Sequence, residues 1–277
     1  WLQLAYNAVD SIIAGRFIGQ DALAAEGIAG PVMNLVILAV SGLCIGAGVL
    51  MSEAFGAKNE ERLKETLATT LLFGAVLCCA VALLGVAAAP LILHSLAVPD
   101  EILHSTGIYL RITFLGAPFT FFYNALAAGL KSVGDSKTPL FFLVLSSVLN
   151  VILDLAFILI FKLGVFGASL ATVLSQAISG VLCLLFIMVK VPILHITRSE
   201  WRPQSKRMTE LCAYGVPMGL QYSITAIGSV ILQVAVNSLG SLSVAAVTAA
   251  SMARPQEGQG EWAGTTVWLL NMVAEYR

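Results

Sequence analysis

No Asp, Glu, Lys, Arg or His occurs between Glu65 and His94, between Arg111 and Lys131, or between Lys162 and Lys190. A soluble helix of that length would have no polar face to turn toward water. Each interval instead matches the roughly 20 apolar residues that cross a hydrocarbon layer about 30 Å thick. Over all 277 residues, 58% are hydrophobic and only 11% are charged, against about 25% charged in a typical soluble domain. The formal net charge of −1 and the lack of an acidic or basic tail give a nucleic acid nothing to grip. The chain therefore reads as an all-α, polytopic helix bundle whose main partner is the lipid bilayer.

Helices follow because backbone polar groups in lipid must pair within their own segment, and the alternating pattern of a membrane β-barrel is absent. The apolar runs give spans at about Trp1–Ile18, Ile28–Met51, Leu67–Leu93, Thr106–Leu130, Pro139–Phe161, Ala168–Val189 and Met208–Leu239. An eighth begins near Leu242. Basic residues collect in alternate connections: Lys58, Arg62 and Lys64; Lys131 and Lys137; then Lys190, Arg198, Arg202, Lys206 and Arg207. The opposite side carries Arg16 and Lys162. Loops rich in Lys and Arg face the cytoplasm, so the N-terminus is expected there, in the plasma membrane. Nothing in Trp1–Ile18 resembles a cleavable signal, since a basic leader is missing and Asp10 sits at its centre.

The connection after the sixth span is the longest and most polar. It gives a division into a six-helix lobe (1–189), a cytoplasmic linker (190–207) and the start of a second lobe (208–250). Superposing Gly19 on Gly240 places Ala24-Ala25 on Ala245-Ala246, each set following one apolar helix and opening the next. Spans one and seven would then share an orientation, as in a parallel duplication about the membrane normal. A complete protein of this type has about twelve spans. Residues 251–277, with Pro255, Gly258 and Gly260 where span eight should continue, read as an atypical polar tail, and the chain is expected to be truncated. Such a truncated fragment is expected to be inactive by itself.

Several motifs are better explained by packing than by chemistry. Cys44, Cys78, Cys79, Cys183 and Cys212 lie in apolar runs without a C-x-x-C pair and serve as small apolar fillers. Gly42, Gly46 and Gly48 suit close helix approach. Gly129 and Gly134 have the spacing of a phosphate loop, but Asp135 stands where that loop needs lysine. Gly134 is read as a helix stop before a new start at Pro139. No ATP site, enzymatic constellation or cofactor is expected.

Charged groups within spans are costly, by roughly 2.5–3.5 kcal/mol at a helix centre. Arg111, near the start of span four, can reach the interface with its head group. Asp10 and Asp154 sit deeper. Tyr6 and Asn7 share the helix face of Asp10, Asn150 shares that of Asp154, and Ala168, Thr172 and Gln176 form a third stripe on span six. Three polar stripes on three helices imply an inward-facing pocket, although Thr172 and Gln176 alone would suit helix-to-helix hydrogen bonding. Oxygen donors of this kind suit hard cations such as Na+, and a carboxyl shielded from water can carry a proton instead.

These residues resemble a known family. Asn7-Ala-Val-Asp10, Gly15-Arg-Phe-Ile-Gly19 and Ala22-Leu-Ala-Ala25 look like the first span of the multidrug and toxic compound extrusion (MATE) transporters. The likeness continues through Gly46-Ala-Gly48, Phe55-Gly56-Ala57, Tyr109-Leu-Arg-Ile112, Gly134-Asp-Ser-Lys-Thr-Pro139, Leu149-Asn150 with Asp154, Gly164-Val-Phe-Gly-Ala168 and Ala171-Thr-Val-Leu-Ser-Gln176. The resemblance implies a two-lobed exporter of small organic cations driven by Na+ or H+. Its first-lobe cation site carries over to Asp10, Asn150, Asp154, the Ala168 carbonyl and Thr172, with Tyr6 nearby. Some relatives carry a glutamate eight residues after the proline of a Gly-x-Pro motif. Here the motif is Gly215-Val-Pro217 and that position is Thr225, which implies the branch whose coupling rests on the first lobe. The alternative within the same superfamily is a flippase for lipid-linked sugars, which needs basic residues facing the cavity; Arg111 is the candidate here.

Overall fold

The computed structural model describes residues 2–196, 201, 205–238, 244 and 247, with the side chains of 2–8, 222, 225, 226, 229 and 232 excepted. Its helices are α1 (Leu2–Phe17), α2 (Gln20–Gly56), α3 (Glu60–Ser95), α4 (Asp100–Ser132), α5 (Lys137–Leu155), α6 (Gly164–Lys190) and α7 (Ser205–Asn237). A π turn, Ala156–Ile160, continues α5, and a short 3-10 turn, Pro192–Leu194, follows α6. Among the described residues there is no strand. Five helices, α2 to α6 with the π turn counted into α5, are long and apolar enough to cross a membrane.

The helices overrun the spans expected from the sequence. The 37 residues of α2 cover about 55 Å, well beyond a hydrocarbon layer of about 30 Å. Apolar content marks only the part in lipid, whereas the hydrogen-bonded ladder runs on until a local signal stops it. Gly19, at φ 125°, breaks the chain between α1 and α2. Consequently α2 begins at Gln20 rather than near Ile28. The Asn59 side chain accepts from the Arg62 N–H at 2.9 Å and starts α3, ahead of the expected Leu67. Gly134, at φ 92°, follows the end of α4, as its reading as a stop requires. Arg111 lies about 16 Å along α4 from Asp100 and is exposed, further from the helix start than expected.

Small residues determine how closely the helices approach. A Cβ added at Gly42 would overlap the backbone of Gly219, and one at Gly46 would lie 2.6 Å from the Gly215 nitrogen. Thus α2 and α7 meet backbone to backbone along a glycine seam. On α3, Gly74 and Gly85 receive the rings of Phe121 and Phe114 from α4. Without a hydrophobic force between helices in lipid, such close packing and cross-helix hydrogen bonds hold the bundle together. The cysteines fit the filler reading at Cys44, Cys78 and Cys183, which are buried; Cys212 is half-buried and Cys79 is exposed, and all five are free.

Polar contacts pin both ends of α7 to the other helices. At one end Arg207 pairs with Glu65 of α3 at 3.1 Å, and Arg62 of α3 with Glu210 at 3.7 Å. At the other, Asn237 donates to the Leu96 carbonyl at 2.7 Å and accepts from Gln233 at 2.8 Å. Gly240, Ala245-Ala246 and the tail 251–277, on which the repeat and truncation readings drew, lie outside the described residues.

Candidate functional site

Asp10, Asn150, Asp154, Ala168 and Thr172 come together from α1, α5 and α6. The α1–α2 corner packs on the α5–α6 turn, with Ile18 against Gly164. Beneath that contact, Ile13, Ile158 and Ala168 form a small apolar cluster. All the site residues lie within about three turns of this end of the bundle. The tight α5–α6 connection, with Lys162 at φ 53° and Gly164 at φ 57°, brings α6 back beside α5 quickly enough for Thr172 to face Asn150.

The polar groups form a connected set. Asp10 is 7% exposed, and Asn150 and Asp154 are fully buried. The Asp10 and Asp154 carboxyl groups lie within hydrogen-bonding reach of each other. With the Asn150 amide turned so that both its ends are satisfied, its nitrogen donates to Asp154 Oδ2 at 3.0 Å. Its oxygen then accepts from the Thr172 N–H and Oγ1, each at 3.3 Å. Thr172 Oγ1 also lies 3.2 Å from the Ala168 carbonyl, so its single proton is shared between that carbonyl and the Asn150 oxygen. The second oxygen of Asp154, Oδ1, is buried and receives no hydrogen bond. Among the described residues, no basic side chain forms an ion pair with either aspartate; the ion pairs lie at the far end, around Arg62 and Arg207.

Isolated charge in lipid is expensive, and a buried polar atom without a partner costs about 1–3 kcal/mol. An orphaned carboxylate oxygen between a second carboxyl, an amide and a hydroxyl is a place that a positive charge would stabilise. The oxygen-only donor set suits a hard cation or a proton.

The other predicted residues are less closely placed. Gln176 is one turn beyond Thr172 on α6 and half-buried. Tyr6 and Asn7 lie on α1 in the turn before Asp10, and their side chains are outside the described set. Thr225 is on α7, its side chain likewise outside that set. Sequence reasoning missed Ser11 and Glu26. Ser11, 1% exposed, donates to Glu26 Oε1 at 2.5 Å, and Glu26 is near enough to act electrostatically on Asp154. Glu26 was passed over because span two was expected to begin at Ile28, which left it in a loop. The missing signal was Gly19: with the break placed there, Glu26 falls in the second turn of α2.

Comparison with known proteins adds independent information. A family model described as MatE matches residues 1–156. A probable multidrug resistance protein of Bacillus subtilis (strain 168), YoeA, is 32% identical over 252 residues, covering 88% of this chain and 54% of that protein. A second from the same organism, YpnP, is 29% identical over 240 residues, covering 86% and 53%. A solved inward-facing conformation of a multidrug resistance MATE family transporter of the MOP superfamily has a TM-score of 0.83 and 26% identity. It covers 90% of this chain and 57% of that one. The chain spans about half the length of the curated relatives it matches.

Proposed function

This chain belongs to the MatE family, and from that premise we infer that it supplies the first lobe, and the beginning of a second, of a secondary antiporter exporting small organic cations in exchange for Na+ or H+. The lobe boundaries are those of the sequence: 1–189, a linker over 190–207, and 208–250. The protein lies in the plasma membrane with its N-terminus in the cytoplasm, on the side of the helix ends that carry Lys58, Arg62 and Lys64 and that carry Lys131 and Lys137. The observation that carries the reading is the meeting of Asp10, Asp154, Asn150 and Thr172 around an orphaned carboxylate oxygen.

The mechanism follows from charge. Two unit charges about 4 Å apart repel by roughly 4 kcal/mol at an effective dielectric of about 20. A cation between Asp10 and Asp154, or a proton shared by them, removes that repulsion. Asn150, Thr172 and the Ala168 carbonyl supply the remaining oxygens. Occupancy therefore draws α1 toward α5 and α6, and release lets them part. An ion gradient biases the packing of the lobe and, through the tightly seated α2–α7 seam, its relation to the second lobe. A ligand moves such an equilibrium only by the difference in its affinity for the two states, and this pocket supplies the difference.

The test is ethidium efflux by the full-length protein, with Na+ and pH gradients imposed separately, for Asp10→Asn and Asp154→Asn. Both variants are expected to insert normally and lose ion-dependent efflux. The gradient that drives the parent protein identifies the coupling ion. Unchanged ion-dependent efflux in both variants would remove the pocket from the mechanism.

A further inference from the structure

We propose that Glu26, held by Ser11, is a third acidic member of the coupling pocket and helps set its affinity for the coupling cation. The inference rests on the reading of Asp10 and Asp154 as the coupling pair, and extends it to a residue on a fourth helix.

Geometry places Glu26 there. The residue lies in the second turn of α2, at the same end of the bundle as Asp10 and Asp154. Ser11 is the neighbour of Asp10 in the chain, and its hydroxyl donates to Glu26 Oε1 at 2.5 Å. That bond ties the carboxylate of α2 to the α1 turn that carries Asp10. Ser11 is 1% exposed and Asp154 is fully buried, whereas Glu26 is only partly buried. The three acids therefore run from a partly buried position to a fully enclosed one. Innermost is the Asp154 Oδ1 that receives no hydrogen bond, the atom with most to gain from a positive charge.

The charges around Glu26 leave it no other evident use. Asp10 and Asp154 are the acids acting on it or acted on by it. Arg16 in the last turn of α1 and Asp21 in the first turn of α2 are exposed. Among the described residues, no basic group forms an ion pair with Glu26. Packing alone does not require a carboxylate, since glutamine would fill the same space and still accept from Ser11. What the charge adds is long-range attraction for a cation moving toward Asp10 and Asp154. Glu26 is bonded to Ser11 rather than to either aspartate, so it acts on affinity through its field and through Ser11.

The experiment is efflux of ethidium from proteoliposomes containing the full-length protein, driven in separate arms by Na+ and by a pH gradient, over a series of cation concentrations. Glu26→Gln should raise the half-saturating cation concentration about tenfold, the size of a unit-charge interaction across about 10 Å of protein. That shift should exceed any fall in maximal rate. Glu26→Asp should restore most of the affinity, and Ser11→Ala should weaken it by about threefold, as expected for loss of one hydrogen bond. Should Glu26→Gln fail to insert, Glu26→Asp and Ser11→Ala decide the matter by the same readout. Half-saturation unchanged in Glu26→Gln and Ser11→Ala, or a lower maximal rate at unchanged half-saturation, overturns the assignment of Glu26. Asp10→Asn, measured alongside, separates the two claims: if it keeps ion-dependent efflux, the coupling pair itself is wrong.

Discussion

The α2–α7 seam and the acid pocket are both places where helices meet, and they are built on opposite terms. At the seam, Gly42 and Gly46 face Gly219 and Gly215, and the contact exists because side chains are absent. At the pocket, Asp10, Asn150, Asp154 and Thr172 meet because side chains are present, including two acids that lipid disfavours. The seam gains from dispersion at close range and has nothing to titrate or exchange. The pocket gives up packing energy and keeps an unsatisfied oxygen. Natural proteins break the rules of a well-packed interior at functional sites and compensate elsewhere. The seam is one place where this bundle compensates.

The largest effect should come from filling the seam. Leucine at Gly42 must push α7 away from α2, because even one methyl group there overlaps the Gly219 backbone. Overpacking by several carbons should cost about 3 kcal/mol or more. The Gly42→Leu protein should lose thermal stability in detergent and, with its helices displaced, efflux as well. A melting temperature equal to that of the parent would mean that α7 does not seat on α2 as described.

Changes in the pocket should separate stability from function. Asp154→Asn removes a costly buried acid while keeping its shape. The variant should melt no lower than the parent while its ion-dependent efflux disappears, the pattern expected where activity and stability pull apart. Thr172→Val keeps the volume but deletes the hydroxyl that bridges Asn150 and the Ala168 carbonyl. Loss of about 1 kcal/mol should raise the half-saturating cation concentration about fivefold. Melting curves and cation titrations of both variants sharpen the comparison, since a pocket that were merely a packing contact would lose stability and affinity together.

The two regions were not equally legible in the sequence. The seam's first-lobe half could be read directly, because Gly42-Leu-Cys-Ile-Gly46 has helical spacing and no competing use. Asp10 and Asp154 stood out because lipid makes an internal acid conspicuous, and Asn150 because it shares the helix face of Asp154. Glu26 did not, since apolar content locates the lipid-embedded part of a helix and says little about where the helix starts. A charged residue near a helix end then looks like a loop residue. The backbone break at Gly19 is the local signal that corrects this. Nor did spacing foretell the bond between Ser11 and Glu26, which depends on how two antiparallel helices rotate against each other at a turn.

The smallest expected effect lies outside the membrane and supplies the control for both regions. Asp135, in the turn between α4 and α5, accepts from the Thr138 N–H at 3.0 Å. Hydrogen bonding from the Thr138 side chain, then from its backbone, holds the Asp135 carboxyl below its usual range. A carboxylate favoured in this way contributes stability above its unfolded value, near pH 4, and loses it as pH falls through the lower folded value. Because the group is close to solvent, the contribution should be only about 0.3 kcal/mol, roughly 1 °C in melting temperature. Asp135→Asn should therefore melt slightly below the parent at pH 7, and the gap should close as pH is lowered past about 4. Ion-dependent efflux should be the same in both, since the residue touches neither seam nor pocket. If Asp135→Asn altered the cation dependence of efflux, the coupling chemistry would extend to the turn between α4 and α5, and the pocket at the other end of the bundle would not account for it alone.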